Sequence, residues 1–273
     1  MTPTALERFF EGSSAEVLVE VEQVQGSTPR EEGAFLLVSA TGMLGTIGGG
    51  QLEFRAIEAA RAMIGSRQSR IFELPLGPEI GQCCGGYVHL RLTPLDRQGR
   101  ETLMERVSQA YHGRPHVYVF GAGHVGRELG AFLALLPVRV MLIDTRETEL
   151  AHVPEGVEPI LAPMPEAIVR QAPAKAAFVV LTHDHSLDFL IVREALLRRD
   201  AAYIGMIGSK TKRAVFTRWF LSIDDEPDLL ASLTLPIGGG VRDKRPAVIA
   251  VQTAAEIIQV MAQLEAESRP SDF

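Results

Sequence analysis

The chain has 273 residues, 46% of them hydrophobic and 22% charged, and a formal net charge of -7. That length allows two domains, each burying its own core, while the acidic balance excludes a nucleic-acid binder that works through a basic face. With no run of about 18 uninterrupted apolar residues, no membrane span is expected, and two adjacent cysteines cannot build a disulfide framework.

In chain order, the opening MTPTALERFFEG carries acids and no apolar core, so it does not read as a secretory signal, and a cytoplasmic location is expected. Residues 16–24 alternate, with Val17, Val19 and Val21 on one face and Glu20 and Glu22 on the other, the pattern of a half-buried strand. Strands are predicted at 34–39 and 43–47, joined by a Thr41-Gly42 turn, and a helix over 51–64 carries Leu52, Ile57, Ala60 and Ile64 as a stripe. Strands at 70–74 and 87–92 and an amphipathic helix over 100–111 complete a small α/β domain, 1–112, that ends in a Gly/Pro segment.

The remainder, 113–273, alternates strand and helix. Strands are predicted at 116–120, 138–143, 177–181 and 201–205, and helices at 124–136, 186–199 (capped by Ser186), 210–221 and 245–265, with a weaker stretch up to 173. Alternation of this kind implies a Rossmann-like parallel sheet with helices on both faces. Ligands in such a fold bind outside the carboxyl ends of the strands.

Several patches carry chemistry. HVYVF runs into Gly121-Ala122-Gly123-His124-Val125-Gly126 and a helix, and the next strand ends on Asp144, a dinucleotide fingerprint in its full setting. Gly121 permits the turn, Gly123 lets the backbone approach a phosphate, Gly126 lets helix pack on strand, and Asp144 stands where a ribose hydroxyl would be bound. A second anion-type segment, 205–213, contains Gly208, Ser209, Lys210, Lys212 and Arg213 at a helix start, and equally describes a solvated helix with a serine cap. Thr182-His183-Asp184-His185 ends a strand. His183 and His185 suggest a metal pair, although only two ligands assemble with Asp188 one place late.

Cys83 and Cys84 lie between glycines, where soft thiolates suit a thiophilic metal or sulfur transfer. Finally, the loop of Gly26 to Arg30 and the run Gly48-Gly49-Gly50, which opens a helix, offer backbone N–H groups and a guanidinium at strand ends.

Seven motifs in order, QGSTPREEGAFLLV, GTIGGGQLE, GQCCGG, VFGAGHVGREL, THDHSLD, YIGMIGSKTKRA and PIGGGVRDKRPAVIAVQTAAEII, resemble the XdhC/CoxI family of xanthine dehydrogenase accessory proteins from about Glu16 to Ile258. The resemblance implies a chaperone and not a catalyst. Such a protein binds the molybdenum cofactor (molybdopterin), shields it while a cysteine desulfurase exchanges an oxygen for sulfur, and delivers it to the apo large subunit of xanthine dehydrogenase. It also implies a homodimer. Under it, Cys83 and Cys84 become candidates for contact with molybdenum. The glycine loops, Arg30 and segment 208–213 become candidates for the pterin phosphate, with Arg242, Lys244 and Arg245 as further cations. Two other readings stand beside it: an NAD(P)-dependent oxidoreductase, favoured by the fingerprint and Asp144, and a nucleotide- or redox-sensing module built on the cysteine pair.

Overall fold

The structure, a computed structural model, describes residues 1–76, 85–239 and 242–268, and the chain divides into two compact units, Met1–Tyr111 and His112–Phe273. In the first, α1 (Pro3–Glu11), β1 (Glu16–Gln25), β2 (Phe35–Ser39), β3 (Met43–Gly45), α2 (Gly50–Ala62), β4 (Arg70–Pro75), β5 (Tyr87–Pro94) and α3 (Arg97–His112) follow one another. The strands form one antiparallel sheet in the order β3-β2-β1-β5-β4. The alternation of β1 divides the core as its sequence predicts. Val17, Val19 and Val21 join Leu52, Ala56 and Ala60 of α2 on one face, and Leu18 packs with Leu6 of α1 and Leu103 and Val107 of α3 on the other. Glu16 is buried at the start of β1 because Arg100 of α3 grips it with two hydrogen bonds of 2.8 and 2.9 Å.

The second unit contains β6 (His116–Phe120), α4 (His124–Ala134), β7 (Arg139–Asp144), α5 (Glu147–Leu150), β8 (Val157–Leu161), α6 (Pro165–Gln171), β9 (Ala177–Val180), α7 (His185–Arg198), β10 (Tyr203–Met206), α8 (Lys210–Leu221), β11 (Leu233–Thr234) and α9 (Pro246–Ser268). All six strands are parallel, in the order β11-β10-β9-β6-β7-β8. This is the doubly wound arrangement, and its strand order reverses between β6 and β9. Because both faces are covered, β6 reads as continuously apolar: Val117 and Val119 face α4 and α9, while Tyr118 and Phe120 face the core shared with α7 and α8.

Two expectations need correction. The weak stretch before 173 holds α5, β8 and α6. β8 was obscured by Pro159 inside it, which an edge strand tolerates because one side of its backbone needs no partner. The cap of α7 is Asp184 and not Ser186: the Asp184 carboxylate accepts from the N–H groups of Ser186 at 2.7 Å and Leu187 at 3.4 Å. One helix, α9, is apolar and long enough over Pro246–Leu264 to cross a membrane by composition, although polar residues interrupt it. It lies on α4 and gives Ala250, Ala254, Ile257 and Met261 to the core.

Two helices of this unit are joined by a buried ion pair. Asp188 of α7 is fully buried and accepts from the Thr182 N–H (3.0 Å), the Thr182 hydroxyl (2.7 Å) and Lys212 Nζ of α8 (2.5 Å). Lys212 also donates to the Ile207 carbonyl at 2.9 Å. Removing one partner leaves the other charge uncompensated away from water, so Lys212→Met should destabilise this unit by about 3–5 kcal/mol. The single tryptophan, Trp219 on α8, packs against Phe189 and Phe216, so urea unfolding followed by its fluorescence reads this loss. A variant as stable as the parent would show the pair to be dispensable.

Candidate functional site at the carboxyl ends of the parallel strands

The β6–α4 turn lies at the strand-order reversal, and its glycines answer to distinct constraints. Gly121 has φ of 114°, and a Cβ there would stand 2.4 Å from the Leu181 carbonyl oxygen. A Cβ at Gly126 would stand 1.9 Å from the Gly121 carbonyl oxygen, so helix and turn close on each other there. At Gly123 a Cβ would meet nothing within 4 Å. The open backbone at that position faces no protein neighbour. α4 begins with no side-chain cap and no acid in its first turn, and His124, its first residue, is exposed. Its leading N–H groups and the positive end of its dipole are therefore met by no side-chain cap of the helix itself.

Asp144 does not play the part expected of it. Its buried carboxylate accepts from the Ala122 N–H (2.8 Å), the Arg146 N–H (3.0 Å), Arg146 Nε (3.0 Å) and the terminal Arg146 nitrogen (3.1 Å). These four bonds fill the acceptor positions of a carboxylate, leaving none for a ribose hydroxyl. Burial alone would raise its pKa, but the bonds from Arg146 and Ala122 outweigh that and hold it below its ordinary value. Asp144 is thus the brace of the turn. Beside it, Gly121, Thr145, Pro165, Thr182 and His183 line a narrow cleft.

The other predicted patches are largely absorbed by the fold. Ser209 caps α8, accepting from the Lys212 N–H at 3.2 Å. Arg213, expected to face a phosphate, instead donates to the carbonyls of Leu235 (2.7 Å) and Leu233 (3.2 Å), and Lys212 is held by Asp188. In this segment the exposed Lys210 makes no ion pair among the described residues, and Gly208 is pressed against Lys212 and Leu235. His183 and His185 are both exposed, and no group of three metal-ligating side chains occurs among the described residues. Asp188, the acid that would complete a metal set with them, is turned inward to Lys212.

In the first unit the glycine loops meet one another. Gly48 touches Pro29, where a Cβ would come within 2.7 Å, and lies close to the stem of the exposed Arg30. Gly86 lies so tightly on the backbone of Ser27 that a Cβ would stand 2.2 Å from its carbonyl oxygen, and Gly85 bridges to Ser27. The loop of Gly26 to Arg30, the run Gly48 to Gly50 and the residues that follow the cysteines therefore share one end of the sheet. Cys83 and Cys84 themselves lie outside the described residues. The anion nest expected at Gly48, Gly49 and Gly50 is taken internally. Glu53 Oε2 accepts from the Thr46 hydroxyl (2.6 Å) and from the N–H groups of Ile47 (3.0 Å) and Gly49 (3.2 Å).

Glu53, Arg146, Tyr203 and Glu256 escaped the sequence reading. Glu256 of α9 accepts from the Gly238 N–H (3.0 Å), the Gly239 N–H (2.6 Å) and the Tyr203 hydroxyl (2.6 Å). Burial and that bond push the Tyr203 pKa far up, so its hydroxyl is a permanent donor. For Glu53 a signal existed, an acid in the first turn of a helix opened by glycines. Glu256 offered none, because its partners lie 17 and 18 residues away in the chain.

Comparison with known proteins agrees with this architecture. A family model described as the XdhC Rossmann domain matches residues 117–257, more than half of the chain, and one described as the XdhC and CoxI family matches residues 12–75. The chain belongs to the XdhC/CoxI family. The Escherichia coli (strain K12) protein named "Uncharacterized protein YqeB" is 26% identical over 257 residues, or 89% of this chain. The chain spans 43% of the length of that relative. A crystal structure from Bacillus halodurans, described as that of a xanthine dehydrogenase, matches with a TM-score of 0.79 over 99% of this chain and 98% of that one. At 20% identity the likeness is one of fold.

The depressed pKa of Asp144 fixes the sign of a pH effect. As pH falls, the unfolded chain takes up the proton first, so the stabilisation is complete above the ordinary carboxylate value of 3.8 and is lost as pH drops through the folded value. Urea unfolding of Asp144→Asn followed over the acid range should therefore show a flatter pH dependence than the parent, and parallel profiles would refute the brace.

Proposed function

We propose that the protein acts in the maturation of xanthine dehydrogenase, as an accessory protein that holds the molybdenum cofactor during sulfuration and passes it to the apo enzyme. Family membership supports the accessory reading. One observation carries the binding half: α4 starts with neither a side-chain cap nor an acid in its first turn, whereas the long helices α7 and α8 have early N–H groups met by Asp184 and Ser209. The cofactor is a pterin that ends in a phosphate, and an uncapped helix start beside an open glycine receives such a group through backbone N–H donors and the helix dipole. Asp144, engaged at all four acceptor positions, weighs against the dinucleotide reading, because a bound ribose would have to displace Arg146 or release the turn.

Each residue then has a definite task. Asp144 and Arg146 hold Ala122 in place so that the turn is preformed. Gly121 and Gly126 allow the close approach of turn, helix and β9. His124, exposed at the first position of the helix, stands beside the anion. Cys83 and Cys84 supply soft sulfur donors for the molybdenum or the incoming sulfur. The cysteine desulfurase, the large subunit of xanthine dehydrogenase and a second copy of this chain are the expected partners.

Gly123→Val tests the phosphate contact without a change of fold. Gly123 has φ of -71° and ψ of -170°, extended backbone that a residue with a Cβ can adopt, and the space above it is open. In the absence of oxygen the parent should retain purified molybdenum cofactor in stoichiometric amount. The variant should stay folded, with a melting temperature only a little lowered by the poorer N-cap, and should bind it at least about tenfold more weakly. A parent that fails to retain the cofactor, or a variant that retains it equally well, would defeat the reading. Cys83→Ala together with Cys84→Ala should weaken retention and lower the activation of apo xanthine dehydrogenase, and a double variant equal to the parent in both would remove the cysteines from the reading.

A further inference from the structure

Beyond β10 and β11 the sheet of the second unit carries another recess, with a volume of about 400 Å³, which the function proposed above does not use. Ile207, Ile237 and Ile249 give it an apolar wall, Gly208 and Gly238 complete the lining, and Arg242 and Lys244 stand at its rim. It lies at the carboxyl end of the parallel strands, where this architecture places ligands. From the β6–α4 turn it is separated by β9, roughly 10 Å across the sheet.

Two cations stand together at this rim. Elsewhere in the unit, Arg127, Arg139, Arg146, Arg193 and Lys212 are tied to carboxylates. Arg242 and Lys244 are exposed and make neither an ion pair nor a side-chain hydrogen bond among the described residues. Asp243 stands between them, but Arg245 engages it through both its backbone N–H (2.9 Å) and its guanidinium. Glu256 turns its carboxylate onto the N–H groups of Gly238 and Gly239, and Asp188 is occupied by Lys212. Each nearby carboxylate is thus committed, and the two cations keep their charge beside an apolar wall. Lys210, also unengaged, follows Gly208 by two residues and adds a third.

The floor is stiff as well as charged. Glu256 is anchored by the Tyr203 hydroxyl and in turn fixes Gly238 and Gly239, so the backbone that faces the recess is held from beneath by α9 and β10. A preformed pocket with an apolar wall and a few convergent charges is the ordinary form of a small-molecule site.

We propose that this recess binds a small molecule bearing a phosphoryl group on a flat apolar body. The phosphoryl oxygens meet Arg242 and Lys244, and the body lies on Ile207, Ile237 and Ile249. This site is separate from the β6–α4 turn and does not depend on cofactor binding there. Free phosphate and an organic phosphate share the charged contact and differ at the apolar wall, so a comparison of the two identifies the ligand class.

The test uses the full chain labelled with nitrogen-15, titrated separately with inorganic phosphate and with phenyl phosphate while backbone amide signals are followed. Phenyl phosphate should shift the amides of Gly208, Ile237 and Gly238 saturably and bind at least about tenfold more tightly than inorganic phosphate. Arg242→Gln with Lys244→Gln, exposed changes that keep the fold, should weaken it by a similar factor. Gly123→Val should leave it untouched, which separates this site from the one at the turn. Equal affinity for the two phosphates, shifts that do not saturate, or a double variant that binds like the parent would each overturn the proposal.

Discussion

A carboxylate taken wholly out of water must find both countercharge and hydrogen bonds inside the protein, and Asp188 finds them on two separate elements. By accepting from Thr182 it fixes the loop after β9, and by pairing with Lys212 it fixes the start of α8. Two segments that resemble independent ligand motifs in the sequence are thereby one structural unit. The same device recurs at the glycine turns. Glu53 satisfies Ile47 and Gly49, Asp144 satisfies Ala122, and Glu256 satisfies Gly238 and Gly239. Glycine turns expose backbone N–H groups that must be paired when they leave water, and in this protein side-chain acids supply the pairing.

That internal pairing changes how glycine-rich segments are to be understood. A nest of N–H groups attracts an anion of any origin, and the chain's own carboxylate competes with a ligand for it at very high effective concentration. Where such an acid is present the nest is structural, as at Gly49 and Gly239. At the start of α4 the first turn holds no such acid, and the Asp144 carboxylate, held by Arg146, meets only the Ala122 N–H of the turn. The distinction between an occupied and an open nest therefore rests on which side of the turn the carboxylate stands.

The acidic balance of the chain gains meaning from the same arrangement. Many of its carboxylates are committed to arginines or backbone N–H groups, as Glu16 is to Arg100 and Asp224 to Arg193. A net charge of -7 does not prevent local positive regions when acids and bases are neutralised pairwise. Arg242 and Lys244 illustrate this, exposed cations with no ion pair among the described residues of an acidic protein.

Hydrophobic period and glycine placement were enough to reveal the parallel-sheet unit, the face of β1 that holds Val17, Val19 and Val21, and the turn at Gly121 to Gly126, because each depends on neighbours within a few residues. Local pattern failed at β8, where Pro159 masks an edge strand, and at the cap of α7, where Asp184 and Ser186 are equally suitable by type. The engagement of Asp144, Lys212 and Arg213 lay beyond it altogether. Their residue types suit a ribose or a phosphate as well as they suit Ala122, Asp188 or the carbonyl of Leu235. Sequence determines which groups can donate and accept. Which partner each one takes is decided when the chain closes, because the partners stand 22 to 24 residues apart and meet through the packing of strands and helices.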